Sequence, residues 1–347
     1  MKKILVIRLS SLGDVVLAAP ILRAMRLQAG VEVHLLAKPS MGDLLQGGDA
    51  VDKFYTWGEP GLWKQLKGEN YDGVLDLHKN WRSIQVLFRL LFLNPSRMLK
   101  WDWCWAKYDK KRWQRGMFVK TKSPKFQVSH VQERYRDAAH TLLGKMNVEN
   151  PFKLDAFQGG LPDFVGRSVD DEGLLAFLES SGGYGVAILG GTYETKKIPL
   201  SVWEKVFDSD AMRWVLIGGK NEMALAEALI STFGDRLLNR VGVYGLLDSA
   251  QCIAKASVVV GGDTGFSHVA AAYGRPLLVI WGNTHPGLGF AAGKNNEKVL
   301  HLLPQNLSCH PCSKLGFEAC PQGHFRCMND YSALEIKLLL QKLQAFT

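Results

Sequence analysis

The sequence predicts an α/β protein made of two Rossmann-like, doubly wound domains that face a cleft. The 347 residues are too many for one compact doubly wound domain and suit two of roughly 150 to 180 residues each. Short apolar runs alternate with helical segments, and this alternation starts again after residue 180. We therefore expect a first domain over residues 1–155, a linker over 156–180, a second domain over 181–330 and a terminal helix over 331–347.

The first domain begins with a buried strand and a helix. Residues 4–7 (ILVI) form a short, wholly apolar run, as in a strand covered on both faces. A polar turn and a helical segment over residues 15–28 follow, and Gly30 closes the segment. Because proline lacks an N–H, we expect the regular helix to begin late enough to place Pro20 in its first turn. The other elements predicted here are strands at 32–37 and 73–77 and helices at 81–92 and 131–143.

The second domain repeats this architecture without repeating the sequence. Turns with paired glycines follow several of its apolar runs, which suits backbone that approaches a ligand closely. The predicted strands are 185–189, 214–217, 257–260 and 277–281, and the predicted helices are 200–207, 222–233, 246–254, 267–273 and 333–346.

The charge balance favours an anionic partner. The formal net charge is +9, from 42 basic and 33 acidic residues, which leaves phosphates, nucleic acid and an acidic membrane surface open. No apolar run approaches the roughly 18 residues of a membrane span. Arg8 and Asp14 interrupt the amino-terminal stretch that would otherwise resemble a signal peptide. We expect a cytoplasmic protein whose six cysteines form no disulfide framework.

Residues 97–125 combine tryptophan with lysine and arginine. The tryptophans are Trp101, Trp103, Trp105 and Trp113. Aromatic side chains among basic ones bind single-stranded nucleic acid, and they also occur at the interface of anionic membranes. An amphipathic segment packed on its own domain, with its lysines in water, would have the same composition.

The turn after the first strand carries a carboxylate, because residues 10–14 read SSLGD. Ligands of open parallel sheets bind beyond the carboxyl ends of the strands, so this turn is a candidate site. Asp14 or Ser11 would cap the following helix on the simplest interpretation. Alternatively, Asp14 is a general base facing the cleft, kept ionised by the helix N-terminus. The turn lacks the G-x-G-x-x-G fingerprint of a dinucleotide site.

A second turn, residues 261–268 (GGDTGFSH), follows another apolar run. A glycine-rich turn that opens a helix is suited to an anion, because free N–H groups converge there. Thr264 would add a hydroxyl donor, and His268 lies about one helical turn further on. Asp263 would repel a phosphate, so it is expected to orient the loop or to contact another donor group. The alternative is a tight turn in which Asp263 and Thr264 act as caps.

Two further turns carry candidate ligands. Thr192 and the pair Lys196 and Lys197 follow the strand predicted at 185–189, where they could hold a departing diphosphate; a solvated basic loop is the alternative. Glu222 follows the strand predicted at 214–217 and could accept hydrogen bonds from a ribose, or it could complement the dipole of its helix.

A group of cysteines lies near the carboxyl terminus. Its members are Cys309, Cys312, Cys320 and Cys327, with His310 and His324 among them. Paired cysteines at short spacing can hold zinc tetrahedrally, although the second pair has six intervening residues rather than two. We expect a structural role, with metal or disulfide undecided.

Three segments together resemble the heptosyltransferases of glycosyltransferase family 9, which build the inner core of lipopolysaccharide. The segments are residues 4–14 (ILVIRLSSLGD), 130–135 (HVQERY) and 262–272 (GDTGFSHVAAA), so the resemblance covers most of the chain. It implies a GT-B fold and inverting transfer from ADP-heptose to an acidic inner-core or lipid A-type acceptor. It also implies a protein that is peripheral on the cytoplasmic face of the inner membrane.

The resemblance also implies roles for individual residues. Asp14 would be the base that takes the proton of the acceptor hydroxyl, and Lys196 would stabilise the departing diphosphate, with Lys197 as the alternative lysine. The implied donor contacts are Thr192, Glu222, Asp263, Thr264, Gly265 and His268. The expected acceptor contacts are Ser11, Gly13, Lys79 and Arg82. No D-x-D-type metal motif is evident in the turns selected above, so we expect catalysis without a metal and without a cofactor, apart from the possible structural zinc.

Other functions remain open at this stage. A related sugar-nucleotide transferase could act on another cell-surface glycan. A basic, non-enzymatic two-domain protein that binds nucleic acid would show a steep dependence on salt and would not bind ADP. An oxidoreductase is disfavoured, because the dinucleotide fingerprint is missing.

Overall fold

The computed structural model describes residues 1–45, 48–93, 104–148, 152, 161, 163, 171–179 and 183–346. It divides into two compact units. The first, here called the N unit, comprises Met1–Lys110 and Val131–Asp163, and the second, the C unit, comprises Lys111–His130 and Phe164–Thr347. The predicted linker over 156–180 lies mostly outside the described residues.

The N unit contains a five-stranded parallel sheet. Its strands are β1 (Lys3–Ile7), β2 (Glu32–Ala37), β3 (Lys53–Thr56), β4 (Gly73–Asp76) and β5 (Cys104–Lys107). Their order across the sheet is β3-β2-β1-β4-β5, and Ile4 lies opposite both Val33 and Gly73. The sequence predicted β1, β2 and β4 but missed the two edge strands, whose alternation of polar and apolar residues is weak.

Helices pack on this sheet as the prediction of a doubly wound domain requires. They are α1 (Leu12–Leu27), α2 (Pro39–Leu45), α3 (Leu62–Gly68), α4 (Trp81–Leu93) and, from the later part of the unit, α6 (Val131–Lys145). Helices α1 and α6 pack on each other. Helices α3 and α4 contribute Leu62, Leu66, Val86 and Leu90 to a core formed with β1 and β4.

The prediction for the first helix was wrong at its start. Helix α1 begins at Leu12 and runs through Pro20, which lies in its middle and is buried. Most of the helix is buried as well, so its packing offsets the one backbone hydrogen bond that Pro20 cannot make. Helix α6 likewise continues to Lys145, beyond the end predicted at residue 143.

The C unit contains a six-stranded parallel sheet. Its strands are β6 (Gly185–Ile188), β7 (Trp214–Ile217), β8 (Leu237–Asn239), β9 (Val258–Gly261), β10 (Leu277–Ile280) and β11 (Val299–Leu302), in the order β11-β10-β9-β6-β7-β8. The four strands predicted here are confirmed as β6, β7, β9 and β10, and the edge strands β8 and β11 were missed.

Helices cover the second sheet too. They are α7 (Glu172–Glu179), α8 (Leu200–Asp208), α9 (Met223–Phe233), α10 (Leu246–Ala254), α11 (Gly265–Ala272), α12 (Arg326–Asn329) and α13 (Ala333–Gln344). The core of the unit includes buried aromatic rings: Trp203 stacks on Phe207 with centroids 5.7 Å apart, and Trp214 packs against Phe207 at 5.6 Å. Helix α13, in the predicted terminal segment, packs on this core through Ile336 and Leu340.

One helix of the C unit comes from an earlier part of the chain. Helix α5 (Arg112–Thr121) lies in the segment that clusters with the C unit, although the sequence prediction places it in the first domain. Arg115 donates a hydrogen bond to the carbonyl of Lys314 at 3.0 Å, and Phe118 packs edge-on against His285 at 5.2 Å. The tryptophan-rich segment is therefore divided between the units: Trp105 lies in β5 and Trp113 in α5, while Trp101 and Trp103 lie outside the described residues.

No helix in the described part of the chain is both long and apolar enough to cross a bilayer.

Candidate active site

The strand order of each sheet reverses at one point, where a doubly wound fold opens a crevice at the carboxyl ends of its strands. In the N unit this point lies between β1 and β4, and in the C unit it lies between β6 and β9. The turns that follow these four strands carry most of the residues selected from the sequence. Each unit therefore has a candidate site of its own.

Asp14 follows β1 and lies in the first turn of α1. Its Oδ2 accepts hydrogen bonds from the hydroxyl of Ser11 at 2.9 Å and from the backbone N–H of Ser11 at 3.4 Å. Its Oδ1 lies 3.4 Å from the hydroxyl of Tyr135. The side chain is 18% exposed, so the carboxylate caps the helix and still reaches the surface. Gly13 is buried beneath it, whereas Ser11 is exposed.

Asp14 also pairs with Arg8, a residue that was not selected from the sequence. Arg8 lies at the end of β1, is buried, and forms an ion pair with Asp14 as well as a hydrogen bond to the carbonyl of Leu77. Burial alone would lower the pKa of Arg8, but the charge of Asp14 and the interactions with Tyr135 and Tyr108 together outweigh it, and the pKa is raised. A charged residue at the end of an apolar strand was the signal that could have identified it.

The turn after β4 places basic groups at the same edge of the N unit. Asp76 is buried and accepts hydrogen bonds from the backbone N–H groups of His78 at 2.9 Å and Lys79 at 2.7 Å. Lys79 has a φ of 47°, and Arg82 is exposed in the first turn of α4. Burial, followed by the positive charge of Arg8, lowers the pKa of His78 to about 4, so its imidazole is neutral at pH 7.

Asp263 joins three strand-end loops in the C unit. Its Oδ2 lies 2.6 Å from the Nζ of Lys196, after β6, and accepts a hydrogen bond from the hydroxyl of Thr284, after β10, at 2.9 Å. Burial would raise the pKa of Asp263, but the charge and hydrogen bond of Lys196, together with His268 and the hydrogen bond of Thr284, outweigh it and the pKa is lowered. The carboxylate therefore orients the lysine that was selected as a diphosphate contact.

The neighbouring lysine has different partners. The Nζ of Lys197 lies 2.9 Å from Oε1 of Glu222 and also pairs with Glu194. Glu222 is buried, and its Oε2 accepts a hydrogen bond from the backbone N–H of Gly219 at 2.9 Å. The structure thus distinguishes the two lysines that the sequence left open: Lys196 belongs with Asp263 and Lys197 with Glu222.

Helix α11 begins at Gly265, with Thr264 as its N-cap residue. The Oγ1 of Thr264 is buried and has no hydrogen-bond partner among the described residues. Gly262 allows the turn to close, because a Cβ there would lie 2.4 Å from the carbonyl oxygen of Lys196. His268 is buried one helical turn further on, and it is one of the groups that lower the pKa of Asp263. Thr192 is exposed in the loop after β6.

The turn after β10 contains a candidate residue that was not predicted from the sequence. Asn283 is 2% exposed, and neither its side-chain nitrogen nor its side-chain oxygen has a hydrogen-bond partner in the described structure. It directly precedes Thr284, the partner of Asp263. Buried polar side chains are normally hydrogen-bonded, so these two atoms make Asn283 a candidate ligand contact. The polar residues that follow the apolar run of β10 were the available signal.

The carboxyl-terminal cysteines remain free thiols. Within the described residues, no three of Cys309, Cys312, Cys320 and Cys327 offer sulfur atoms within 4.8 Å of one another, and Cys309 lies 3.9 Å from a ring nitrogen of His324. The structural zinc thus stays a prediction.

A different group of side chains that could hold a metal ion lies in the N unit. Glu32, His34 and Glu69 offer ligand atoms within 4.8 Å, and they are the one such group in the described part of the chain. The ammonium of Lys3 lies 2.6 Å from Glu69 and 3.4 Å from Glu32, and His34 bonds to the hydroxyl of Tyr71 at 3.0 Å. These contacts already satisfy the group, so we interpret it as a structural network.

Two parallel sheets, each with polar turns at its switch point, define the class of GT-B glycosyltransferases, and comparison with known proteins supports this class. Residues 61–316 match the model of glycosyltransferase family 9 (heptosyltransferase). The match covers more than half of the chain, so the chain belongs to this family and is a glycosyltransferase.

Individual relatives are distant in sequence but similar over nearly their whole length. Lipopolysaccharide heptosyltransferase 1 of Pseudomonas aeruginosa is 26% identical, over 90% of this chain and 86% of the relative. The structure of Escherichia coli ADP-heptose LPS heptosyltransferase II has a TM-score of 0.67 at 18% identity, covering 100% of this chain and 99% of that one. Escherichia coli heptosyltransferase WaaC, solved with ADP, has a TM-score of 0.64 at 20% identity, covering 98% and 99%. These structures confirm the GT-B fold.

Proposed function

We propose that this chain transfers a heptose from ADP-heptose to an acidic inner-core or lipid A-type acceptor of lipopolysaccharide, with inversion at the anomeric carbon. The observation that carries the proposal is the arrangement in the C unit, where Lys196 pairs with Asp263 beside the N-terminus of α11. The names of the family 9 relatives support the choice of sugar and acceptor. A related sugar-nucleotide transferase acting on another surface glycan is the second candidate.

The donor would bind at the C unit. The free N–H groups at the start of α11 and the ammonium of Lys196 suit the diphosphate, and the unpaired hydroxyl of Thr264 supplies a further donor. Gly265 keeps the backbone accessible there, and His268 lies close behind. Glu222 would accept a hydrogen bond from a ribose hydroxyl while Lys197 balances its charge. Thr192, exposed after β6, would complete the phosphate contacts.

The acceptor would be activated at the N unit. Asp14 takes the proton of the acceptor hydroxyl as that oxygen attacks the anomeric carbon, and the diphosphate leaves with the bonding electrons. Arg8 and Tyr135 hold the carboxylate in place. Ser11, Gly13, Lys79 and Arg82 would contact the acidic acceptor. One carboxylate base and no covalent intermediate give inversion, by the logic that inverting hydrolases follow with water.

We also propose that no metal is needed for transfer. Positive charge for the departing diphosphate would come from Lys196 and from the dipole at the start of α11. These groups take the place of a bound cation. An acceptor anchored in lipid would further require the chain to act at the cytoplasmic surface of the inner membrane, which its net charge of +9 favours.

The donor class can be tested by thermal stabilisation. A ligand that binds only the folded state raises the melting temperature in proportion to the logarithm of its concentration over Kd. ADP-heptose and ADP should stabilise the protein far more than UDP-linked sugars, with or without EDTA. Equal stabilisation by UDP-linked sugars would contradict the proposal that the donor is ADP-heptose. Salt-sensitive binding of single-stranded nucleic acid without any effect of ADP would favour the non-enzymatic alternative.

A further inference from the structure

Helix α4 of the N unit has two apolar sides. One side packs in the core through Val86, Leu87 and Leu90. The other side is open to solvent and bears a stripe of large apolar side chains that are 49% to 74% exposed. The members of this α4 stripe are Trp81, Ile84, Phe88 and Phe92.

The spacing of the α4 stripe makes it a continuous surface. Residues three and four apart lie on one side of a helix, so the four side chains form a row about 16 Å long. Single exposed apolar residues are common on soluble proteins, whereas a contiguous row of aromatic and branched side chains marks an interaction surface.

The charges that α3 and α4 carry all have one sign. Helices α3 (LWKQLKG) and α4 (WRSIQVLFRLLFL) contact each other and contain no acidic residue. Their basic residues are Lys64, Lys67, Arg82 and Arg89, and all four are exposed. The guanidinium of Arg89 lies 4.6 Å from the ring centroid of Trp63, which holds the charge at the side of the stripe. A protein partner would normally face a rim of mixed polarity, whereas apolar and aromatic groups flanked only by cations suit an anionic lipid surface.

We propose that α3 and α4 form a membrane-docking surface, in which the α4 stripe enters the interface of an anionic bilayer and the flanking cations face lipid phosphates. The inference rests on the proposed function, because it supplies the surface that a lipid-anchored acceptor would require. Helix α4 starts directly after the turn that carries Lys79, and Arg82 lies in its first turn. Docking by this helix would bring the lipid next to the residues predicted to hold the acceptor.

Vesicle binding by the full chain tests this surface. The protein should sediment with phosphatidylcholine vesicles containing about 30% phosphatidylglycerol, and more weakly with phosphatidylcholine alone. The variant Ile84→Ser/Phe88→Ser/Phe92→Ser should lose binding to the anionic vesicles by at least about tenfold. The variant Lys64→Gln/Lys67→Gln/Arg89→Gln should lose the preference for anionic vesicles, and its residual binding should no longer depend on salt.

The controls separate docking from folding and from catalysis. Leu334→Ser/Leu338→Ser removes two apolar residues of α13 that are 66% and 57% exposed and four apart, and it should bind vesicles like the wild type. Phe92→Ser alone, at the most exposed position of the stripe, should weaken binding without lowering the melting temperature.

Wild-type vesicle binding by the triple serine variant would overturn the proposal. A change from dimer to monomer in that variant, with no change in vesicle binding, would overturn it as well. The variants should still be stabilised by ADP-heptose. If the wild type bound vesicles but was not stabilised by ADP-heptose, the proposed donor would be contradicted and the docking surface would not.

Discussion

At the scale of single residues, Asp14 has two tasks that compete. Its carboxylate caps α1 and pairs with the buried Arg8, and it is also the proposed base. An ion pair with arginine favours the charged form of the carboxylate, so Asp14 would take the acceptor proton only once the bond to the anomeric carbon is well advanced.

Removal of this carboxylate should abolish most of the transfer. We expect Asp14→Ala and Asp14→Asn to lower kcat by at least about 10²-fold, because neither side chain can accept a proton. Stabilisation by ADP should be retained, since the proposed donor residues belong to the C unit. Initial rates and melting curves with ADP measure the two effects. Near-normal turnover in Asp14→Asn would show that another group is the base.

The residues found from the sequence and those missed differ in a physical way. Asp14 and Asp263 were selected because each follows an apolar strand, which is a local pattern. Arg8 and Asn283 were missed because what makes them notable is burial, which depends on distant parts of the chain. The choice between Lys196 and Lys197 could not be made either, because their partners Asp263 and Glu222 come from other strand-end turns.

At the scale of elements, the loop after β6 directs two adjacent lysines to two different carboxylates. Lys196→Ala and Lys197→Ala each leave a mostly buried carboxylate without its ion pair, so each should lower the free energy of unfolding by about 1 to 3 kcal/mol. Their kinetic effects should differ. Lys196→Ala should lower kcat at least about tenfold through loss of the diphosphate contact, whereas Lys197→Ala should chiefly raise KM for the donor through Glu222.

Lys196→Ala and Lys197→Ala are matched controls for each other, because each removes one lysine of the same loop. Steady-state kinetics with varied donor, together with urea unfolding, separates stability from transfer for both lysines. Equal losses of kcat in the two variants would mean that the partners seen in the structure do not distinguish their roles.

The elements themselves were predictable to different degrees. Buried central strands and amphipathic helices have strong local patterns, and the sequence identified them. The edge strands β3, β5, β8 and β11 were not predicted, because short, half-exposed strands depend on pairing with a neighbour for their conformation. The start of α1 was misjudged because a local rule about Pro20 ignored the stabilisation that burial provides.

At the scale of the whole molecule, a charged network centred on Glu69 joins β1, β2 and β3 of the N unit, and Lys3 also pairs with Glu32 of β2 at 3.4 Å. Glu69, just after α3, accepts hydrogen bonds from Lys3 of β1 at 2.6 Å, from Lys53 of β3 at 2.8 Å and from Tyr55. Burial would raise the pKa of Glu69, but these hydrogen bonds outweigh it and lower the pKa to about 2.

The network should make stability depend on pH in the acid range. A carboxyl whose pKa is lower in the folded state stabilises that state above its unfolded pKa, and this contribution is lost as the pH falls towards the folded pKa. Glu69→Gln should therefore lower the free energy of unfolding by about 1 to 3 kcal/mol at pH 7. The difference from the wild type should shrink between pH about 5 and about 2. Urea titrations at several pH values measure the difference in the free energy of unfolding between Glu69→Gln and the wild type. A difference that stays constant with pH would contradict the lowered pKa of Glu69.

The segment Lys111–His130 has a consequence for how the chain is made and divided. It leaves the ribosome before the strands of the C unit are synthesised. Its side chains Arg115 and Phe118 therefore cannot make their contacts until Lys314 and His285 have been added to the chain. A gene cut at residue 164 would yield a second fragment without this helix. Co-expression of residues 111–130 with the fragment, or fusion through a new linker, would be needed to restore a complete C unit.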